Sequence, residues 1–252
     1  MSRGVSEGLA RGLNWFKSVV GQTLVEEPKK PEPKPEEPQT EAKPTKEKPN
    51  YTTYHGWLPP EELVGKIVNF EIGSIRYYNR YLTTPLEPLN EASGLTIGVG
   101  YDLGYYTPDE IKNDWQGFLS KEDIQKLCKV SGLRGWTAKQ AHRDVVGVVI
   151  PYEVALKQFM KVTLPRWIMK TYQTFPNFDN LNANQKTALV SLVFNRGSAL
   201  RGKGREEMQA IYDNLSRGNV RPVAGLIKAM ANRSPLKGVQ KRRVEEAELF
   251  AS

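Results

Sequence analysis

Apolar residues Val5, Leu9, Leu13, Phe16, Val20 and Leu24 recur at steps of three and four, which sets them on one face of a helix within residues 1–25. Trp15 lies beside that face. Glu7, Arg11 and Lys17 interrupt the apolar run, so the segment does not read as a cleavable signal peptide. Docking on a partner protein and lying on a membrane surface are the two roles such a helix suits. The periodicity then stops. Of the 22 residues from 28 to 49, seven are Pro, six Lys and five Glu, and none is more apolar than Ala42. Such a stretch buries too little surface to offset its conformational entropy, and residues 26–50 read as an extended spacer.

Periodic patterning returns at residue 51 and predicts one domain, 51–252, that is mostly helical. Pro59-Pro60-Glu61-Glu62 opens a helix, and Leu63, Ile67 and Phe70 carry it to about Glu71. Residues 83–106 break the helical period with Pro85, Pro88, Gly94, Gly98, Gly100 and Gly104, and suit a β-hairpin or three-stranded sheet. Thr107-Pro108, Ser120 and Thr137 each start a further helix. A long helix is expected from Pro151 toward Lys170, kinked or broken by Pro165. Asn182 or Asn184 leads into the next, with Ala188, Leu189, Leu192 and Val193 facing a core. Three more follow near 205–216, 220–231 and 238–250. A small β element inserted in helices is an α+β arrangement.

Composition narrows the function. Lys plus Arg exceed Asp plus Glu by 36 to 28, a net +8 that favours anionic partners. No stretch is long and apolar enough to predict a transmembrane helix. The single cysteine, Cys128, excludes an internal disulfide framework and reads as a small buried hydrophobe. His55 and His142 lack metal-ligand spacing, so neither metal nor cofactor is expected. Trp57, Trp115, Trp136 and Trp167 read as core residues. Residues 196–252 carry 12 basic and 6 acidic groups. They contain no recognised nucleic-acid motif, and no nucleic-acid partner is expected.

Glu71 follows Ile67-Val68-Asn69-Phe70, where apolar neighbours would raise its pKa and keep a proton available. Thr96 and Asp102 lie six residues apart in a glycine-punctuated strand segment. If the strand turns at Gly98 or Gly100, a hydroxyl and a carboxylate point at one spot and can hold a water. An acid facing a carboxylate across a groove is the requirement for glycoside hydrolysis. Asp102 also suits a turn-capping role, and Asn195 before Arg196-Gly197 suits a helix C-terminus.

The run Phe70-Glu71-Ile72-Gly73, followed by Ser93-Gly94-Leu95-Thr96-Ile97-Gly98-Val99-Gly100-Tyr101-Asp102-Leu103-Gly104, resembles the active-site region of phage-type lysozymes and is most similar to the pesticin-like muramidase branch. Gln185 to Gly197 resembles the helix that faces the cleft from the second lobe, and Gly238 to Phe250 the closing helix. The resemblance implies a lysozyme-like fold that cleaves the bond between N-acetylmuramic acid and N-acetylglucosamine in bacterial peptidoglycan, with inversion. It implies Glu71 as general acid, and Asp102 with Thr96 to hold water. Asn195, Arg196, Gly94 and Tyr101 are the implied sugar contacts. The commoner phage pattern places its aspartate six residues before the threonine. Asn90 occupies that place here, so Glu91 beside it stays the alternative carboxylate. The implied setting is a phage particle or lysis system, or a delivered antibacterial toxin, made in the cytoplasm and acting in the periplasm. A wall-binding protein of the same fold without activity, and an enzyme acting on chitin, are the rivals.

Overall fold

The computed structural model describes residues 57–252; the expected helix of residues 1–25 and spacer of residues 26–50 lie outside them. The described chain is mostly helical, with a small two-stranded antiparallel sheet, an α+β arrangement. Helix α1 (Glu61–Ile72) starts after Pro60 with Glu61 and Glu62 in its first turn, and buries Leu63, Val64, Ile67, Val68 and Ile72. Each such side chain contributes about 1.5–3 kcal/mol by leaving water. Gly73, at φ 69°, ends α1 two residues after the candidate acid. Helix α2 (Ile75–Tyr81), which the apolar pattern does not predict, begins where the Ser74 hydroxyl accepts the Tyr77 N–H. Its one fully buried residue is Tyr78, too little apolar signal to read from sequence.

Strands β1 (Thr96–Ile97) and β2 (Tyr101–Asp102) pair antiparallel, Thr96 opposite Asp102 and Ile97 opposite Tyr101. Leu86 adds a single isolated bridge to Thr96, so of the two expected forms the β-hairpin is found and the three-stranded sheet is not. The β element is bolted to the helices through Tyr101. Its hydroxyl donates to Asp114 Oδ2 at 2.7 Å, its ring stacks on Tyr106 at 4.1 Å, and Arg166 donates to Asp114 Oδ1 at 2.5 Å. Burial pushes the Arg166 guanidinium down, and its bonded partner Asp114 more than offsets this, so its pKa ends above the ordinary arginine value.

Helix α3 (Pro108–Trp115) carries a reciprocal Thr107–Glu110 capping box, and Ser120 caps α4 (Lys121–Lys129). Thr137 is not a cap: α5 (Gly135–Ala141) begins after Arg134, and the Thr137 hydroxyl donates back to the Arg134 carbonyl. The expected long helix is three pieces: α6 (Tyr152–Gln158), a π-helical turn (Phe159–Thr163) and α7 (Leu164–Thr174). The wide turn lies just before Pro165, whose missing N–H and ring would disrupt a continuous α-ladder.

Helix α8 (Ala183–Arg196) starts at Asn182, in a capping box with Gln185. Thr187 to Val193 are all buried, so α8 is enclosed on every side and forms the core of the helical body. It packs on α1, α7 and α11 (Lys237–Ala251). Helices α9 (Glu206–Ser216) and α10 (Val223–Ala229) connect α8 to α11. Trp115 is in the core as expected, whereas Trp57 and Trp167 are half-buried and Trp136 is exposed. Cys128 is half-buried, its thiol 3.4 Å from the Pro108 carbonyl, not enclosed as its helical position suggested. No described helix is long and apolar enough to cross a membrane.

Candidate active site

The turn between β1 and β2 comes against the end of α1. Gly100 has φ 68°, and a Cβ there would lie 2.9 Å from Glu71 Oε2 and 3.2 Å from the Phe194 ring. The backbone at this point therefore touches α1 and α8 together, which only glycine allows. Gly100→Ala is expected to cost about 1–2 kcal/mol, because alanine meets both the left-handed backbone and the Glu71 carboxylate. An unchanged thermal midpoint would show that the turn relaxes freely.

Thr96 and Asp102 share the half-exposed face of the hairpin, while Ile97 and Tyr101 point into the core. The two-residue period of a strand imposes that division. Asp102 Oδ1 accepts the N–H of Gly94 at 2.8 Å and of Gly104 at 2.9 Å, capping the 3₁₀ turn Leu103–Tyr105. Both bonds fall on Oδ1, which fixes the carboxylate. Burial raises the Asp102 pKa above the ordinary carboxylate range, while the two N–H groups and Arg134 hold it back.

The apolar enclosure expected around Glu71 is replaced by a charged partner. Arg242 from α11 donates to Glu71 Oε1 at 2.5 Å and lies over the Phe70 ring at 4.9 Å. Arg242 is itself buried. Its Nε donates to Glu246 Oε1 at 2.9 Å, and another nitrogen donates to the Ser191 carbonyl at 2.9 Å. Burial pushes the Arg242 guanidinium down, and Glu71 and Glu246 more than offset it, so its pKa ends raised. Glu246 also binds Arg243, which donates in turn to Asn195 Oδ1. A continuous chain of bonds thus runs from Glu71 through Arg242, Glu246 and Arg243 to Asn195.

Several sequence expectations need correction. Tyr101 is 1% exposed and Gly94 is buried, so neither reaches a sugar. Tyr101 anchors the hairpin. Gly94 is a glycine because any Cβ would collide with the backbone of Gly104. Arg196 does not extend into the site: it donates to the Gly204 carbonyl, and Arg205 donates to the Arg196 carbonyl at 2.7 Å, which pins the loop after α8. Glu91 is drawn to the start of α5, where Oε2 accepts the Trp136 N–H at 3.4 Å, so Asp102 rather than Glu91 pairs with Thr96. Arg242 and Arg243 are spent inside the ion cluster and do not contribute to an exposed basic surface. They are also the functional neighbours that sequence reading passed over. The signal was present as arginines three and four residues before Glu246 on one helix.

A separate cavity of about 330 Å³ opens between α1, α8 and α11, lined by Lys66, Phe70, Ser191, Glu246, Leu249 and Ser252 among others. Glu71, Thr96 and Asp102 do not line it. Among the described residues no three His, Cys, Asp or Glu side chains gather as metal ligands. No protein-family model matches the chain, and a search of curated proteins finds no match.

Proposed function

We propose that this chain is a peptidoglycan hydrolase with a lysozyme-like fold, a muramidase acting by acid–base catalysis. The observation that carries the reading is the contact of Glu71 with the hairpin turn at Gly100, on the hairpin where Thr96 and Asp102 stand opposite each other. Glu71 is the proton donor to the glycosidic oxygen, which leaves as a hydroxyl. Asp102 Oδ2 takes a proton from water, and the Thr96 hydroxyl holds that water as its oxygen bonds to the sugar's anomeric carbon. Asn195, tied to Glu71 through the ion cluster, offers its amide nitrogen to the substrate. The resemblance of residues 70–73, 93–104, 185–197 and 238–250 to the pesticin-like muramidases supports the same reading. Action on the cell wall implies delivery from a phage particle, by lysis or as a toxin.

Mass spectrometry of fragments released from purified sacculi tests this. Soluble muropeptides ending in free reducing N-acetylmuramic acid are expected; their absence, or an anhydro end in their place, would overturn hydrolysis at that bond. The second reading, a wall-binding protein without activity, is favoured by one feature: both carboxylates already serve local bonds, Glu71 with Arg242 and Asp102 with Gly94 and Gly104. The same experiment separates the two.

The pH profile gives a further check. Asp102 works as a base only when ionised, and burial raises its pKa. Activity should therefore fall, as the pH drops, at a point above the usual carboxylate value of about 4. Asp102→Asn keeps an oxygen for the Gly94 and Gly104 N–H groups, so it should fold normally and lose activity at every pH. An acidic limb at or below the usual value would assign the titration to another group.

A further inference from the structure

Two large aromatic side chains beyond the β hairpin stand in water. Trp136, in the first turn of α5, is 64% exposed, and Tyr105 is 56% exposed. One short loop connects them. The Tyr105 hydroxyl donates to the Ala92 carbonyl at 2.9 Å, the Gly135 N–H donates to the Ser93 carbonyl at 2.8 Å, and the Trp136 N–H donates to Glu91. Arg134 lies over the Tyr105 ring at 4.1 Å and donates to the Gly104 carbonyl at 2.9 Å. Gly104 is the residue whose N–H holds Asp102. The surface thus starts beside the candidate base and runs outward to Trp136.

Folding does not account for this arrangement, because water-exposed indole and phenol rings forgo their burial energy. The chemistry fits a saccharide. A flat aromatic face accepts the C–H face of a pyranose ring, and the adjacent Glu91 carboxylate and Arg134 guanidinium can bond its hydroxyl and acetamido groups. One acid and one base also leave the patch near neutral, which suits a glycan better than a polyanion.

We propose that Trp136 and Tyr105, with Glu91 and Arg134, form a subsite for an N-acetylhexosamine ring of the glycan strand, removed from the bond cleaved at Glu71. The proposal rests on the muramidase reading and extends it to a binding surface. The test uses the full chain carrying Glu71→Gln, so that binding is measured without cleavage, by co-sedimentation with purified sacculi and by calorimetric titration with chitohexaose. Adding Trp136→Ala is expected to weaken both about tenfold with an unchanged thermal midpoint. Adding Trp136→Phe instead should restore most of the affinity, and Trp136→Leu should not. Equal binding with and without Trp136→Ala, as for a patch that serves a protein partner, would overturn the subsite, and so would full rescue by leucine. Muropeptide release by the unmodified chain is scored separately. Weakened binding without any such release keeps the subsite and removes the hydrolytic reading.

Discussion

Glu71→Gln is expected to lower muropeptide release about 10³-fold while the protein stays folded. The variant keeps the shape of the side chain and an oxygen for Arg242, but has no proton to deliver to a leaving oxygen, and general acid catalysis is worth about 10²–10⁴. Folding survives because Arg242 retains Glu246 and Ser191. The net cost is a weaker hydrogen bond to Arg242, about 1–2 kcal/mol. Activity and the thermal midpoint, measured on one preparation, separate the two effects. Release within a few-fold of wild type would remove Glu71 from the chemistry.

Glu246→Ala should produce the largest loss of stability. Glu246 is 1% exposed and accepts from two arginines that are themselves buried. Its removal leaves Arg243 without a carboxylate partner and Arg242 with Glu71 alone. Stranding a buried charge in this way costs about 3–5 kcal/mol, a large part of the total of about 5–15 kcal/mol that holds a typical domain folded. The drop is read from the urea midpoint. The double variant Arg243→Met/Glu246→Met removes one charge of each sign and should recover part of it. A loss below 1 kcal/mol for the single variant would show that water enters the cluster and replaces the carboxylate.

Local chemistry was the legible part of the sequence. Proline and acids at the start of α1, the Thr107–Glu110 and Asn182–Gln185 capping boxes, and the glycines of the hairpin each act within a few residues, so a linear reading finds them. The inward placement of Tyr101 is also legible in the strand period. Once Thr96 and Asp102 share a face, the two-residue period sends Tyr101 to the other side. The surroundings of Glu71 were not readable, because Arg242 lies 171 positions away and reached it only through the packing of α11 on α8. Arg243 beside it is buried as well, while Lys241 in the same basic run is exposed, a division that only the packing sets. Exposure of Trp136 likewise follows from which face of α5 meets the body, and so short a helix carries no pattern that declares it.

The bond between Glu71 and Arg242 also sets a timetable for synthesis. A ribosome adding about 5–20 residues per second needs roughly 10–30 s to travel from one partner to the other. Throughout that interval the nascent helical body has its carboxylate but not the guanidinium that answers it. Helix α11 therefore works as a late-arriving clasp on the Glu71 carboxylate.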